Sequence, residues 1–140
     1  MSSIAVTEKI LSYVEEHLDS ALTLEETAKA LHYSKFYIAR VFKEHTGITL
    51  YQYIRGRRLS EAAGKLVKSR KPLIEIALEA GYGSQQAFIQ AFHQEYECTP
   101  QEYRKKGLFA PKQNRIVLQE ENGNRFMMCF THLSGGEMVA

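Results

Sequence analysis

Two stretches of this 140-residue chain carry side chains of the kind that can read the edges of nucleic-acid bases. In the first, Arg40 has a planar guanidinium that can donate two hydrogen bonds to O6 and N7 of guanine. In the second, the amides of Gln85 and Gln86 can pair with N6 and N7 of adenine. Base reading in the major groove of DNA is therefore the chemistry that these residue types indicate.

The first stretch has helical spacing, with Ile38, Val41 and Phe42 on the face that must turn toward a core. The opposite face carries the candidates for base contact, which are Lys35, Phe36, Ala39 and Arg40. Phe36 can pack on a thymine methyl group, or it can fold back as a satellite of the core. Ala39 can offer only a methyl contact.

The second stretch repeats this arrangement, with Phe88, Ala91 and Phe92 facing inward. Its outward candidates for base contact are Gln85, Gln86, Ile89 and Gln90. An ordinary polar helix start is the alternative interpretation of the glutamines.

Charge is distributed unevenly, although the net charge is only +2. Residues 35–71 hold ten Lys and Arg against two acids, whereas residues 72–103 hold five acids and no Lys or Arg. The basic block is typical of a polyanion-binding face, and a well-solvated helix surface is the alternative. Candidates for phosphate contact are Ser34, Lys43, Thr49, Arg55, Lys68, Arg70, Lys71, Ser84, His93, Arg104 and Lys105. Arg57 and Arg58 of the basic block can form salt bridges to the acidic helices instead of contacting phosphate.

Helical periodicity and capping residues position both stretches. Ser34 and Ser84 can cap the two candidate reading helices, and Thr49 can cap a long helix that follows the first. Thr99 followed by Pro100 predicts the start of a last helix. Several pairs match at an offset of 50 residues, namely Ile38 with Phe88, Phe42 with Phe92, Thr49 with Thr99 and Tyr53 with Tyr103.

The repeat predicts an all-α domain of two helix-turn-helix units over residues 1–106. The first unit spans about 7–48, the linking helix about 50–69 and the second unit about 72–106. His32 stands at the turn where the second unit has Gly81. That turn favours a left-handed backbone, so His32 is expected to cost about 1 kcal/mol relative to glycine.

This pattern resembles the DNA-binding domain of AraC/XylS-type bacterial transcription regulators over about residues 7–106. The resemblance is carried by Tyr33-Ser34-Lys35-Phe36, Thr46-Gly47, Tyr53-Ile54-Arg55, Gly81-Tyr82 and Thr99-Pro100 with Tyr103-Arg104. The Ser84-Gln85-Gln86 turn brings it closest to the MarA/SoxS/Rob-type subgroup. The resemblance implies a monomer that binds double-stranded DNA through two adjacent major-groove segments and activates transcription, with RNA polymerase as a partner.

Residues 107–140 change character and predict a short C-terminal β-hairpin. Two apolar runs flank Asn122-Gly123, which favours a type I′ turn. The resemblance implies that this tail can be the start of an effector domain for a small molecule. The apolar residues of the tail can be buried against the helical domain, against a second copy of the chain or against further downstream sequence. Because the resemblance ends near Lys106, the tail is expected to be dispensable for DNA binding.

Several function classes are excluded by what the sequence lacks. The five histidines are scattered, and no nucleophile elbow or glycine-rich phosphate loop occurs, so we expect no enzyme, no metal and no cofactor. No apolar run reaches membrane-spanning length, and two distant cysteines without an export signal predict a cytoplasmic protein. The remaining rival is a helix-turn-helix module that binds a protein partner and has weak DNA affinity, which the acidic second unit favours.

Overall fold

The computed structural model describes residues 2–20, 22–121 and 124–129, with side chains described through residue 118. The seven helices of this part are α1 (Ser3–Glu16), α2 (Leu24–Leu31), α3 (Lys35–Thr46), α4 (Leu50–Lys68), α5 (Leu73–Glu79), α6 (Gln85–Tyr96) and α7 (Pro100–Lys106). The strands are β1 (Ile116–Glu121) and β2 (Asn124–Cys129). The chain divides into two compact units, one within residues 1–55 and 115–130 and one within residues 56–114. The predicted helical fold with two helix-turn-helix units is confirmed.

Unit 1 packs α1, α2, α3 and the first turns of α4 around one apolar core. Ile10 and Val14 of α1 meet Ile38 and Phe42 of α3, and the ring of Tyr53 lies 5.5 Å from that of Phe42. On α3, Ile38, Val41 and Phe42 are buried, as the spacing of apolar residues in the sequence predicted. Helix α1 begins at Ser3, with the Ser2 side chain as its cap, which is earlier than the boundary predicted near residue 7.

Unit 2 repeats this construction with α5, α6, α7 and the remainder of α4. Its core is aromatic, because Phe88, Phe92, Tyr96 and Tyr103 lie together with ring centroids 4.4–5.7 Å apart. From Phe88 to Tyr96 the burial of α6 copies that of Ile38 to Thr46 in α3, position by position at the offset of 50 residues. The repeat seen in the sequence is therefore a repeat of packing.

The segment after α7 lies against the helices, which the division at residue 106 did not anticipate. Backbone N–H groups of this segment donate to helix hydroxyls: Ala110 to Tyr103, Lys112 to Tyr96, Gln113 to Ser60 and Ile116 to Tyr53, at 2.7–3.1 Å. Burial raises the pKa of the Tyr96 and Tyr103 phenols, so both stay protonated at neutral pH. We call residues 108–114 the strap.

Strand β1 joins the core of unit 1 through its first residues. Ile116 is 2% exposed and packs in that core, and Leu118 packs against it. Strands β1 and β2 pair antiparallel, from Ile116 opposite Cys129 to Glu121 opposite Asn124. The Asn122-Gly123 turn lies outside the described residues. The sequence left three possibilities for what covers the apolar residues of the tail. For Ile116 and Leu118, the covering surface is the helical domain.

The turns between α2 and α3 and between α5 and α6 use the left-handed backbone that was expected. His32 has φ 64° and Gly81 has φ 88°. In each turn the next residue donates back across the helix end, Tyr33 to the carbonyl of Ala28 and Tyr82 to that of Ala77. A Cβ at Gly81 would lie 2.8 Å from a guanidinium nitrogen of Arg58, so a side chain there would also require that guanidinium to shift.

The strain at His32 leads to a stability prediction. We expect His32→Gly to raise the free energy of unfolding by about 1 kcal/mol, because glycine adopts positive φ without steric cost. Urea unfolding monitored by circular dichroism measures this. The control of opposite sign is Gly47→Ala, since Gly47 has φ 83° and open space where a Cβ would be. That variant should lose about 1 kcal/mol. A destabilised His32→Gly would show that the imidazole contributes more than the backbone strain costs.

Candidate nucleic-acid interface

Helix α3 begins at a serine cap and presents one exposed face. The Ser34 hydroxyl accepts a hydrogen bond from the Tyr37 N–H at 3.1 Å, which starts the helix at Lys35. Phe36, Arg40 and Lys43 follow at i, i+4 and i+7 and are all exposed, Phe36 to 77%. Phe36 therefore does not fold back onto the core. Lys35 is also exposed, whereas Ala39 is half-buried between the exposed positions.

Neighbouring groups hold the cations of α3 on this face. The Arg40 guanidinium lies 5.4 Å from the centroid of the Tyr37 ring and 3.4 Å from the Glu44 carboxylate. The Lys35 ammonium lies 3.5 Å from a carboxylate oxygen of Glu25 on α2. Sequence reasoning missed these neighbours as parts of the site, although the i, i+4 spacing of Arg40 and Glu44 was a usable signal.

Helix α6 presents the matching face with amides in place of cations. The Ser84 hydroxyl caps the helix by accepting from the Ala87 N–H at 3.1 Å. Gln86, Gln90 and His93 occupy the positions that Phe36, Arg40 and Lys43 hold in α3, and all three are exposed. The other two candidates, Gln85 and Ile89, are half-buried, and Ile89 packs against the core of unit 2.

Some of the remaining candidates for phosphate contact are exposed to solvent, and others are half-buried. Arg70 and Lys105 are exposed, and so is Lys68, whose ammonium lies 4.4 Å from the Phe109 ring centroid. Arg55 and Thr49 are half-buried, and the Thr49 hydroxyl caps α4 by accepting from the Gln52 N–H.

Arg104 is committed to the end of α4. Its guanidinium donates to the carbonyl oxygens of Leu66 at 2.9 Å, Ser69 at 3.5 Å and Lys71 at 2.8 Å. The Leu66 carbonyl lies in the last turn of α4, where a helix end leaves carbonyls without intrahelical partners, and the other two belong to the segment that follows the helix. Arg57 is buried in the same unit, where it bonds the Glu61 carboxylate and the Gln113 carbonyl. Both arginines therefore serve the fold of unit 2.

Glu79 joins two of the lysines in unit 2. Its carboxylate lies 2.8 Å from the Lys65 ammonium and 2.9 Å from the Lys71 ammonium. The hydrogen bonds from Lys65 and then Lys71 hold the pKa of the Glu79 carboxyl below its usual value. The hydrogen bond to Glu79 in turn raises the pKa of Lys71. Lys71 is thus paired in the free protein.

The lowered pKa of Glu79 leads to a prediction about acid stability. Because the pKa is depressed in the folded state, the stabilisation is full above the unfolded-state pKa near 4.5 and is lost as pH falls through the folded-state value. We expect Glu79→Gln to unfold at lower urea concentration at pH 7 and to show a flatter loss of stability below pH 4.5. Glu16→Gln, an exposed carboxylate on α1, is the control. Equal acid sensitivity of Glu79→Gln and the wild type would contradict the assignment.

None of the described helices is long and apolar enough to cross a bilayer. Among the described residues, no group of three or more histidine, cysteine or acidic side chains could hold a metal ion.

Two serine-capped helices with matching exposed faces, each following a short helix and a left-handed turn, define a double helix-turn-helix DNA-binding protein. Residues 27–106 match the family model described as a helix-turn-helix domain. The chain belongs to the AraC-type helix-turn-helix family of DNA-binding transcription regulators. Members of this family are regulators and not enzymes.

Individual relatives agree with this assignment. The regulatory protein SoxS of Salmonella typhimurium is 39% identical over 104 residues, covering 74% of this chain and 97% of SoxS. The multiple antibiotic resistance protein MarA of the same organism is 36% identical over 115 residues, covering 82% and 89%. In structure, the C-terminal domain of the response regulator AraT from Geobacillus stearothermophilus matches with a TM-score of 0.71 and 28% identity, covering 78% and 91%. The resemblance to this family and to its MarA/SoxS subgroup is confirmed.

Proposed function

We propose that this regulator activates transcription by binding a specific double-stranded DNA site, with α3 and α6 each entering the major groove. The observation that carries the proposal is the pair of matched exposed triads, Phe36, Arg40 and Lys43 on one helix and Gln86, Gln90 and His93 on the other. Both helices enter with a capped N-terminal end, as the second helix of a helix-turn-helix does.

Roles within the triads follow from side-chain chemistry. Arg40 reads guanine through its guanidinium, and Phe36 packs on a thymine methyl group. Lys35 and Ala39 complete the base-facing surface of α3, and on α6 the amides of Gln85, Gln86 and Gln90 read adenine while Ile89 adds an apolar contact. Phosphate contacts come from Lys43, Arg70, His93 and Lys105, and from the helix N-termini capped by Ser34, Thr49 and Ser84.

Selection from a random duplex pool tests the proposal. The full chain is incubated with random duplexes at physiological salt, and bound DNA is sequenced after several rounds. We expect a motif of two dissimilar halves about one helical turn, or about 10 bp, apart. The first half should contain a guanine, because of Arg40, and the second should be rich in A·T pairs, because of the glutamines. A single half-site or no enriched motif would contradict insertion of both helices.

Activation is tested separately, on a template that carries the selected motif upstream of a promoter. We propose RNA polymerase as the partner, so the purified chain should increase transcript yield with purified polymerase. The control is a template with the guanine of the first half-site replaced. A decrease in transcript would make the chain a repressor at that position.

A second candidate is a protein-interaction module with weak DNA affinity. It is favoured by one observation, the five acids and absence of Lys and Arg in residues 72–103. Such a unit repels phosphate and suits a basic protein surface. If the pool yields only a first half-site while polymerase is still bound, the second unit serves the partner and not the DNA.

A further inference from the structure

A cavity of about 280 Å³ opens within unit 2 between α4 and the strap. Its lining includes Ser60, Glu61, Gly64, Lys65, Lys68, Ser69 and Phe109, and most of its exposed lining is apolar. The cavity exists because Gly64 has no side chain and because the Phe109 ring arches over that gap, 3.5 Å from where a Cβ of residue 64 would be. Its size suits a small organic molecule.

Most of the polar groups around the cavity are already satisfied. The Glu61 carboxylate is held by Arg57 at 3.1 Å, and the Lys65 ammonium is held by Glu79 at 2.8 Å. The Ser69 hydroxyl donates to the carbonyl of Lys65 at 2.6 Å. These groups neither require nor attract a charged ligand.

Lys68 is different, because it makes no ion pair within the part of the chain whose side chains are described. Its ammonium lies 4.4 Å from the centroid of the Phe109 ring, and both residues line the cavity. The cavity thus combines one uncompensated positive charge, one aromatic ring and an apolar floor at Gly64. An ammonium held near an aromatic face also keeps its ability to bind an anion from the open side.

We propose that this cavity binds a small organic anion with an apolar, aromatic body. The anionic group pairs with the Lys68 ammonium, and the body packs on Gly64 and against the Phe109 ring. This site is separate from the tail, where the family resemblance would put an effector, and it does not depend on the DNA-binding proposal.

Three probes of the same skeleton and different charge test the proposal. The full chain, labelled with nitrogen-15, is titrated with 4-phenylbutyrate, with its neutral amide and with the cationic 4-phenylbutylamine, and amide shifts are followed by NMR. We expect a millimolar Kd for the carboxylate, at least about fivefold weaker binding of the amide, and no saturable binding of the amine. The shifts should concentrate at Gly64, Ser69 and Phe109.

Variants separate this site from non-specific attraction to a basic protein. Lys68→Gln should weaken carboxylate binding at least about fivefold, whereas Lys68→Arg should retain it within about twofold. Lys29→Gln removes an exposed lysine on α2, away from the cavity residues, and should have no effect. Phe109→Leu keeps an apolar strap and should weaken binding of both the carboxylate and the amide.

The proposal is overturned by any of three results. These are equal binding of the amine and the carboxylate, shifts centred away from the cavity, or unchanged affinity in Lys68→Gln. Lys68 is exposed, so its variants are expected to fold, and circular dichroism of each variant checks this.

Discussion

Replacing Ile116 with alanine is expected to lower the free energy of unfolding by about 2–5 kcal/mol, although the residue lies in the tail. Ile116 is 2% exposed in the core of unit 1, and its N–H donates to the Tyr53 hydroxyl at 3.1 Å. The substitution leaves a cavity in the core of unit 1 and removes apolar area from the interior. Urea unfolding at equilibrium, followed by circular dichroism, gives the value directly.

Leu108→Ala is the matched control, because Leu108 also follows α7 and is a large apolar residue, but it is 74% exposed. It should change stability by less than about 0.5 kcal/mol. Tyr53→Phe removes only the hydroxyl and should cost about 1–3 kcal/mol, since the Ile116 N–H then lacks its partner. If Ile116→Ala behaves like Leu108→Ala, strand β1 is not part of the folded domain, and the tail is as dispensable as the sequence suggested.

Replacing Arg40 with alanine is expected to cost about 1–3 kcal/mol of DNA affinity and to relax the preference at a single base position. The guanidinium is 63% exposed on the outer face of α3, oriented by Tyr37 and Glu44. We expect a larger loss than from Gln85→Ala or Gln86→Ala, because residues 35–71 carry the positive charge and residues 72–103 carry none. Fluorescence anisotropy on the selected duplex and its single-base variants measures both effects.

Two control variants test whether Arg40 contacts a base or a phosphate group. Lys105→Ala should weaken all duplexes by similar factors, as loss of a phosphate contact does. Glu44→Gln removes the carboxylate 3.4 Å from Arg40 and should raise affinity for every sequence, because less negative charge faces the DNA. Uniform weakening by Arg40→Ala would make Arg40 a phosphate contact. Equal losses from the glutamine variants would refute the predicted dominance of the first unit.

Part of this chain has no counterpart in SoxS, because the match covers 97% of SoxS with 104 residues, which are 74% of this chain. In this chain the segment from Ala110 to Ile116 occupies hydroxyls of Tyr53, Ser60, Tyr96 and Tyr103. A regulator of this type that lacks the segment must satisfy those positions by solvent or by other residues.

Local sequence signals were enough to predict the helices and the repeat. The linking helix was predicted over 50–69 and runs from Leu50 to Lys68, because Thr49 caps it and Pro72 limits it. The serine caps of α3 and α6, the core positions Phe42 and Phe92, and the left-handed turn at His32 depend on neighbours within one or two helical turns. These features can therefore be predicted from the spacing of residues that are close in sequence.

Other features depend on hydrogen bonds between residues that are far apart in sequence, and only the tertiary structure shows them. Arg104 caps the end of α4 across 33–38 residues, and Ile116 reaches Tyr53 across 63. The composition of a basic stretch does not tell which of its cations face solvent and which, like Arg57, are buried. Periodicity marks the face on which a residue lies, but hydrogen bonds between distant backbone N–H groups and core hydroxyls leave no periodic trace. The helices and their exposed faces therefore follow from the sequence by itself, whereas the strap, the cavity beneath it and the division of the arginines between fold and surface follow only from how the chain packs.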